Sequence, residues 1–69
     1  MKRAWVMIPE KAVVADMVVI LKSLASQLEL MPKYAYVKRM RIGQIQRDID
    51  GMDMVKGIEI YVEGGETHD

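Results

Sequence analysis

The spacing most suggestive of chemistry is that of three aspartates, Asp48, Asp50 and Asp53. Carboxylates spaced closely along a loop are the oxygen ligands that calcium prefers. In an alignment with an EF-hand-type loop, however, Met52 falls where an oxygen ligand belongs, and Asp53 replaces the required glycine. A polar Asp-Gly turn explains the same residues. The sequence therefore predicts no metal site and no cofactor.

A nucleophile with a base beside it cannot be assembled from these residues. The chain has no cysteine, its single histidine is His68, and Ser23 and Ser26 have no base at a suitable spacing. Because an activated nucleophile needs a base within hydrogen-bonding reach, we expect a protein that is not an enzyme. The lack of cysteine fits a reducing compartment, and the apolar runs are too short to span a membrane. We therefore expect a soluble, cytoplasmic protein.

A basic segment that also carries tyrosines runs from residue 33 to residue 42. Its cationic and aromatic residues are Lys33, Tyr34, Tyr36, Lys38, Arg39 and Arg41. Sheets bind single-stranded nucleic acid by stacking aromatic rings on bases and placing cations near phosphates. The glycine and phenylalanine pattern of the common RNA-binding sheet is missing, and the net charge is zero. Nucleic-acid binding through residues 33–42 is therefore the alternative hypothesis.

Charge is segregated along the chain. Residues 1–47 contain nine Lys/Arg and three Asp/Glu, whereas residues 48–69 contain one lysine and seven Asp/Glu. Opposite charges on paired strands stabilise a sheet. We interpret the segregation first as pairing within one sheet and second as a basic binding face or an acidic mimic of nucleic acid.

The chain divides into strand, helix, strand and strand. The predicted elements are strands at 4–8, 33–42 and 58–62 and an amphipathic helix at 9–31. In the first strand Trp5 and Met7 point one way, while Ala4, Val6 and Ile8 point the other. A bulge near Lys38, or a strand edge that faces water there, would explain the broken alternation of the second strand. Residues 44–56 stay open between a short helix and part of a hairpin.

One broad face of the predicted helix is apolar. Its members are Val13, Val14, Met17, Ile20, Leu21, Leu24, Ala25, Leu28 and Met31. Val19, Ala12 and Leu30 form a thinner second apolar strip on the polar side. Since the first strand is also apolar on both sides, we expect a second apolar contact with a partner.

The parity of the last two strands restricts their pairing. An even, two-residue turn would put their apolar residues on opposite faces, whereas an odd loop centred on Gly51 puts them on one face. The odd loop pairs Met40 with Val62 and Ile42 with Ile60, and all four face the helix in the core. On the other face it pairs Arg39 with Glu63 and Arg41 with Tyr61.

These features predict an α+β fold of β-α-β-β order, with a three-stranded mixed sheet and one long amphipathic helix on one face. Residues 1–63 form a single domain and residues 64–69 a flexible tail. A chain of 69 residues buries a small core, and without disulfides a partner is the remaining source of stability.

The functional hypothesis is a small, non-catalytic protein-interaction module that self-associates as a homodimer. Such a module acts as a regulator, an accessory subunit or an inhibitor of a larger protein, as phage and mobile-element inhibitors do. The partner is a protein or a second copy, and no membrane is expected. The predicted partner-binding residues are Trp5, Met7, Val19, Tyr34, Tyr36, Lys38, Arg39 and Arg41.

The helix phase can be tested by two substitutions. Leu24→Ala removes a side chain from the centre of the apolar face, and we expect it to lower the free energy of unfolding by about 2–5 kcal/mol. Ser26→Ala, on the opposite side, should change it by less than about 0.5 kcal/mol. Urea denaturation measures both values, and the reverse order would show that the phase is wrong.

Overall fold

The computed structural model describes residues 2–47, 51 and 53–64. It has an α+β fold with the predicted β-α-β-β order. The elements are β1 (Lys2–Met7), α1 (Val14–Glu29), β2 (Tyr36–Gln46) and β3 (Met54–Glu63). The three strands form one sheet in the order β1-β3-β2. The predicted flexible tail, apart from Gly64, lies outside the described residues.

The sheet is antiparallel throughout, so the predicted mixed sheet is wrong. β1 and β2 do run in the same direction, because each pairs antiparallel with β3. They are not neighbours, however, because β3 inserts between them. The helical connection therefore joins two parallel but separated strands, and the central strand is the last one in the described part of the chain.

The helix is shorter than predicted at its N-terminal end. It begins at Val14, where the side chain of Asp16 accepts a hydrogen bond of 3.0 Å from the backbone N–H of Val13. A carboxylate in the first turn also interacts favourably with the helix dipole. At the other end, Leu30 and Met31 donate their N–H groups back to the last turn, directly before Pro32.

The helix packs on one side of the sheet, above β1 and β3. The buried apolar residues of this core are Ala4, Val6, Leu24, Ile58, Ile60 and Val62. Ala4 and Val6 point toward the helix, and Trp5 and Met7 lie on the other face, so the predicted division of the strand into two faces is correct. Leu24 is the one helical residue among those described that is buried, in agreement with its central place in the predicted apolar face.

The connection between β2 and β3 is a hairpin, not a short helix, as far as it is described. β2 continues to Gln46 and β3 starts at Met54, beyond the predicted ends of both strands. The N–H of Arg47 also donates to the carbonyl of Asp53, at 2.9 Å. A side-chain hydrogen bond of 2.6 Å joins Gln46 to the carbonyl of Gly51. Residues 48–50 and 52 lie outside the described part.

The predicted parity of this hairpin is correct, but the predicted partners are wrong by two residues. The observed pairs are Met40 with Ile60, Ile42 with Ile58, Arg39 with Tyr61 and Arg41 with Glu59. The hairpin is centred one position before Gly51. The partner of each of these β2 residues is therefore two positions earlier in β3 than predicted, and each residue keeps its predicted face of the sheet. This register places Gly43 opposite Gly57. A Cβ on Gly57 would collide with the carbonyl oxygen of Val6 and lie 2.9 Å from Cδ1 of Ile45.

The predicted bulge near Lys38 is confirmed, since the register of β2 shifts between Val37 and Arg39. An extra residue in a strand reverses the faces of the residues on one side of it. Tyr36 therefore shares a face with Arg39, and Val37 joins Met40 on the helix side. The bulge separates the polar and apolar residues of a strand whose sequence alternates imperfectly.

The far end of the hairpin coils back over the face of the sheet that lacks the helix. Arg3 is level with Arg39, seven residues before Gln46, or roughly 23 Å away in a flat sheet. The guanidinium of Arg3 nevertheless donates to the carbonyl of Gln46. Gly43 lies in the coiled region and has a φ of 127°, a value that other residues rarely adopt. Ile45, in the same region, is fully buried. The face that lacks the helix is thus closed at the end near Gln46 and open at the end near Tyr36.

Candidate functional site

The helix-side surface of β2 is apolar and uncovered. Val37, Met40 and Ile42, which we call the apolar strip, are 65%, 59% and 68% exposed. Their partners on β3 are Val62, Ile60 and Ile58, all buried. The strip is exposed because the helix lies over β1 and does not extend to β2. Sequence reasoning placed Met40 and Ile42 in the core and did not include the strip among the site residues.

One flank of the helix continues this apolar surface. Gln27 marks the other flank, because its side chain bonds the backbone of Trp5 at the outer edge of β1. Val14, Val18 and Leu21 lie on the opposite side of the helix from Gln27, toward β2, and all three are exposed. The strip and this flank border the same open side of the sheet.

The backbone of β2 has an unpaired edge. Because Arg47 bonds Asp53, the alternation of an antiparallel ladder directs the backbone groups of residues 39, 41, 43 and 45 to β3. Those of Met40, Ile42 and Gln44 point outward, and no side chain among the described residues bonds them. At the outer edge of β1, in contrast, the amide of Gln27 accepts from the N–H of Trp5 at 3.0 Å and donates to its carbonyl at 2.7 Å. Among the described residues, one edge of the sheet is therefore capped, at Trp5, and the other is open.

An ion pair is buried on the opposite face. The Nε of Arg3 donates to Oε2 of Glu59 at 2.8 Å, and the two side chains are 8% and 2% exposed. The guanidinium carbon of Arg3 also lies 5.2 Å from the centre of the Trp5 ring and 5.9 Å from that of Tyr61. Within the described part of the chain, Oε1 of Glu59 has no hydrogen-bond partner. The contacts of Arg3 connect all three strands, so its role is structural.

The predicted basic residues of β2 lie at the open end of this face. Arg39 stacks on Tyr61, with 4.6 Å between the guanidinium carbon and the ring centre. Lys38 makes an exposed ion pair of 3.5 Å with Glu63. Arg41 is opposite Glu59 but, among the described residues, makes no ion pair, because Glu59 pairs with Arg3.

The remaining predicted residues divide into two places. Tyr34 precedes β2 and Tyr36 begins it, and both rings are largely exposed. Trp5, Met7 and Val19 come together in a cleft of about 360 Å³ beside the outer edge of β1. Because β3 lies between β1 and β2, the cleft and the basic residues are at opposite edges of the sheet. The structure therefore separates the predicted binding residues into two groups.

The described residues contain no group of three or more His, Cys, Asp or Glu side chains arranged to hold a metal ion. Asp48 and Asp50 of the acidic turn lie outside them. No helix in residues 2–47, 51 and 53–64 is both long and apolar enough to cross a membrane. Comparison of the chain with protein-family models, curated proteins and solved structures found no significant match.

The two ion pairs between described residues offer a matched test of their roles. Glu59→Ala leaves the charge of Arg3 buried without its partner, and we expect it to lower the free energy of unfolding by about 3–5 kcal/mol. Lys38→Ala removes an ion pair whose side chains are 62% and 51% exposed, so it should cost less than about 1 kcal/mol. Urea denaturation of both variants is the measurement. Equal losses would mean that Arg3 and Glu59 are accessible to water in solution.

Proposed function

We propose that this protein is a non-catalytic interaction module that binds a protein partner through the helix side of β2. The observation that carries the proposal is the apolar strip: Val37, Met40 and Ile42 are exposed although their neighbours on β3 are buried. Complete burial of one such side chain is worth about 1.5–3 kcal/mol. A chain of 69 residues has a small core, so three exposed apolar side chains represent a large loss of the stability that their burial would provide.

The chemistry of this surface favours binding and not catalysis. The side chains of the apolar strip and of the flanking helix residues are hydrocarbons and a thioether. Such groups bury area against a partner, but they neither transfer protons nor attack an electrophile. A protein that works in this way acts by occupying or completing a surface of a larger protein, as a regulator, an accessory subunit or an inhibitor does. A second copy of the chain can bury the same surface, which would make the protein a homodimer.

The proposal is tested by making the strip polar without removing its β-branched or long side chains. The double substitution Met40→Gln and Ile42→Thr should abolish self-association, or co-purification with a partner from the native host, because the buried area loses its apolar character. Since both residues are exposed, the stability of the domain should change by less than about 1 kcal/mol. Sedimentation velocity and affinity capture are the measurements.

Val19→Thr is the matched control, because Val19 is a similarly exposed residue in the cleft beside β1. It should leave association intact. Loss of association with Val19→Thr alone would move the partner to the cleft. A monomer at high micromolar concentration that also captures no protein would contradict the proposal.

The second candidate function, binding of single-stranded nucleic acid, is favoured by the bulge at Lys38. The bulge turns Tyr36 to the face of Arg39 and Arg41, where Tyr61 also lies. Exposed rings between cations are the arrangement that stacks on bases and neutralises phosphates. Tyr61, however, is already stacked on Arg39, and Glu63 pairs with Lys38. We therefore place nucleic acid second.

Fluorescence anisotropy with short single-stranded DNA and RNA decides this alternative. We expect no binding even at low salt, where attraction to phosphate is strongest. If binding does occur, Arg39→Gln with Arg41→Gln should reduce the slope of log affinity against log salt by about two, one for each lost phosphate contact. Lys22→Gln, on the exposed side of the helix, is the control and should leave the slope unchanged. Tight binding that depends on Arg39 and Arg41 would overturn the preferred function.

A further inference from the structure

We propose that the free edge of β2 binds an extended acidic segment of another protein, which adds to the sheet as a fourth strand. In this segment apolar residues alternate with Asp or Glu. The apolar residues lie on the helix side, and the carboxylates lie beside Arg39 and Arg41. This inference rests on the proposed function and specifies the partner's chemistry.

The first argument is the backbone of β2. Met40, Ile42 and Gln44 present three N–H and three C=O groups outward, in a row that an added strand can pair completely. Unpaired edges are aggregation-prone, and proteins usually cover them. This protein covers the edge of β1 with Gln27 but leaves the longer edge of β2 open. The open edge is therefore the place for an incoming strand.

The second argument comes from the side chains on the two faces of β2. An added strand would have alternate residues beside Met40 and Ile42, which are exposed and apolar, near the helix flank at Leu21. The residues between them would lie beside Arg39 and Arg41 on the other face. Opposite charges on adjacent strands stabilise a sheet, and like charges destabilise it. An apolar and acidic alternation satisfies both faces.

β3 shows that β2 pairs with this pattern, because it already occupies the other edge of β2. Its residues 58–63 alternate between the buried Ile58, Ile60 and Val62 and the outer residues Glu59, Tyr61 and Glu63. Both edges of a strand present the same side chains, since these project above and below the sheet. A ligand strand at the free edge therefore meets the same apolar and cationic rows that select β3.

A second copy of the chain does not supply such a strand from its described residues. Residues 36–47 contain four Lys/Arg and no Asp/Glu, so two β2 edges would oppose like charges. β3 is the inner strand, and the edge of β1 is capped. Charge thus favours a different, acidic partner over pairing between two β2 strands.

The chain's own β3 sequence is a suitable probe. A synthetic peptide of residues 57–64, blocked at both ends, should bind the full-length protein in calorimetry or fluorescence anisotropy. A control peptide carrying Glu59→Lys and Glu63→Lys should bind at least about tenfold more weakly, because a glutamate opposite one arginine of β2 and a glutamate diagonal to the other arginine both become repulsive. The protein variant Arg39→Gln with Arg41→Gln should bind the two peptides with affinities that differ by less than about threefold.

Residue-resolved hydrogen exchange distinguishes strand addition from other binding. The peptide should slow exchange at the amides of Met40, Ile42 and Gln44, which point outward. The amides of Arg39 and Arg41 already bond β3 and should change little. No peptide binding at millimolar concentration, equal binding of both peptides, or protection without this alternation would each overturn the inference.

Failure of the inference is separable from failure of the proposed function. If Met40→Gln with Ile42→Thr abolishes association with the native partner but the peptide does not bind, the apolar surface stands and strand addition is wrong. If a single-stranded oligonucleotide displaces the peptide from Arg39 and Arg41, those residues serve nucleic acid, and the acidic segment is also wrong.

Discussion

One helix of 16 residues has to cover a sheet of three strands, and this constraint determines the rest of the structure. A helix with its side chains is about 10 Å wide, whereas three strands, each taking up about 4.8 Å of the sheet, occupy roughly 14 Å. Here the helix lies above β1, so that Leu24 reaches the central strand while β2 receives no cover. The apolar strip is therefore exposed by the geometry of the fold, although its residues are typical of a core.

On the other face of the sheet, which has no helix, the contacts of Arg3 hold the covering segment in place. From β1 its guanidinium bonds Glu59 on β3 and the carbonyl of Gln46 on β2, and so holds the coiled hairpin against the sheet. The coil is possible because Gly43 adopts a φ of 127°, which other residues rarely adopt, and because Gly57 leaves room for the carbonyl of Val6 and the side chain of Ile45. Ile45 is buried in this way without a second helix. The contacts of Arg3 thus close one end of the face that lacks the helix. Tyr36, Arg39 and Arg41 lie at the other end of this face, where the bulge directs them.

Local patterns in the sequence were enough for the element order, the two faces of β1, the odd parity of the hairpin and the bulge near Lys38. Each of these depends on neighbouring residues and on the two-residue period of a strand. The central position of β3 and the register around Gly57 depend on contacts between distant residues, with Val6 and Ile45, that no local pattern shows. The same dependence on distant contacts explains why the site residues were predicted only in part. Trp5, Met7 and Val19 are apolar residues without a partner in the sequence pattern, whereas the pattern places Met40 and Ile42 under the helix, because it contains no information on how far the helix extends across the sheet.

The open edge of β2 has to avoid indiscriminate pairing with other strands and still accept one class of partner. Exposed edges are commonly protected by a bulge and by charged residues, and β2 has both, at Lys38 and at the two arginines that follow. These same features do not block every strand. The bulge leaves the ladder from residue 39 onward regular, and the positive charges repel basic strands while attracting acidic ones. Protection against indiscriminate pairing and selection of one class of partner are thus consequences of the same residues, because a charged edge excludes ligands only of its own sign.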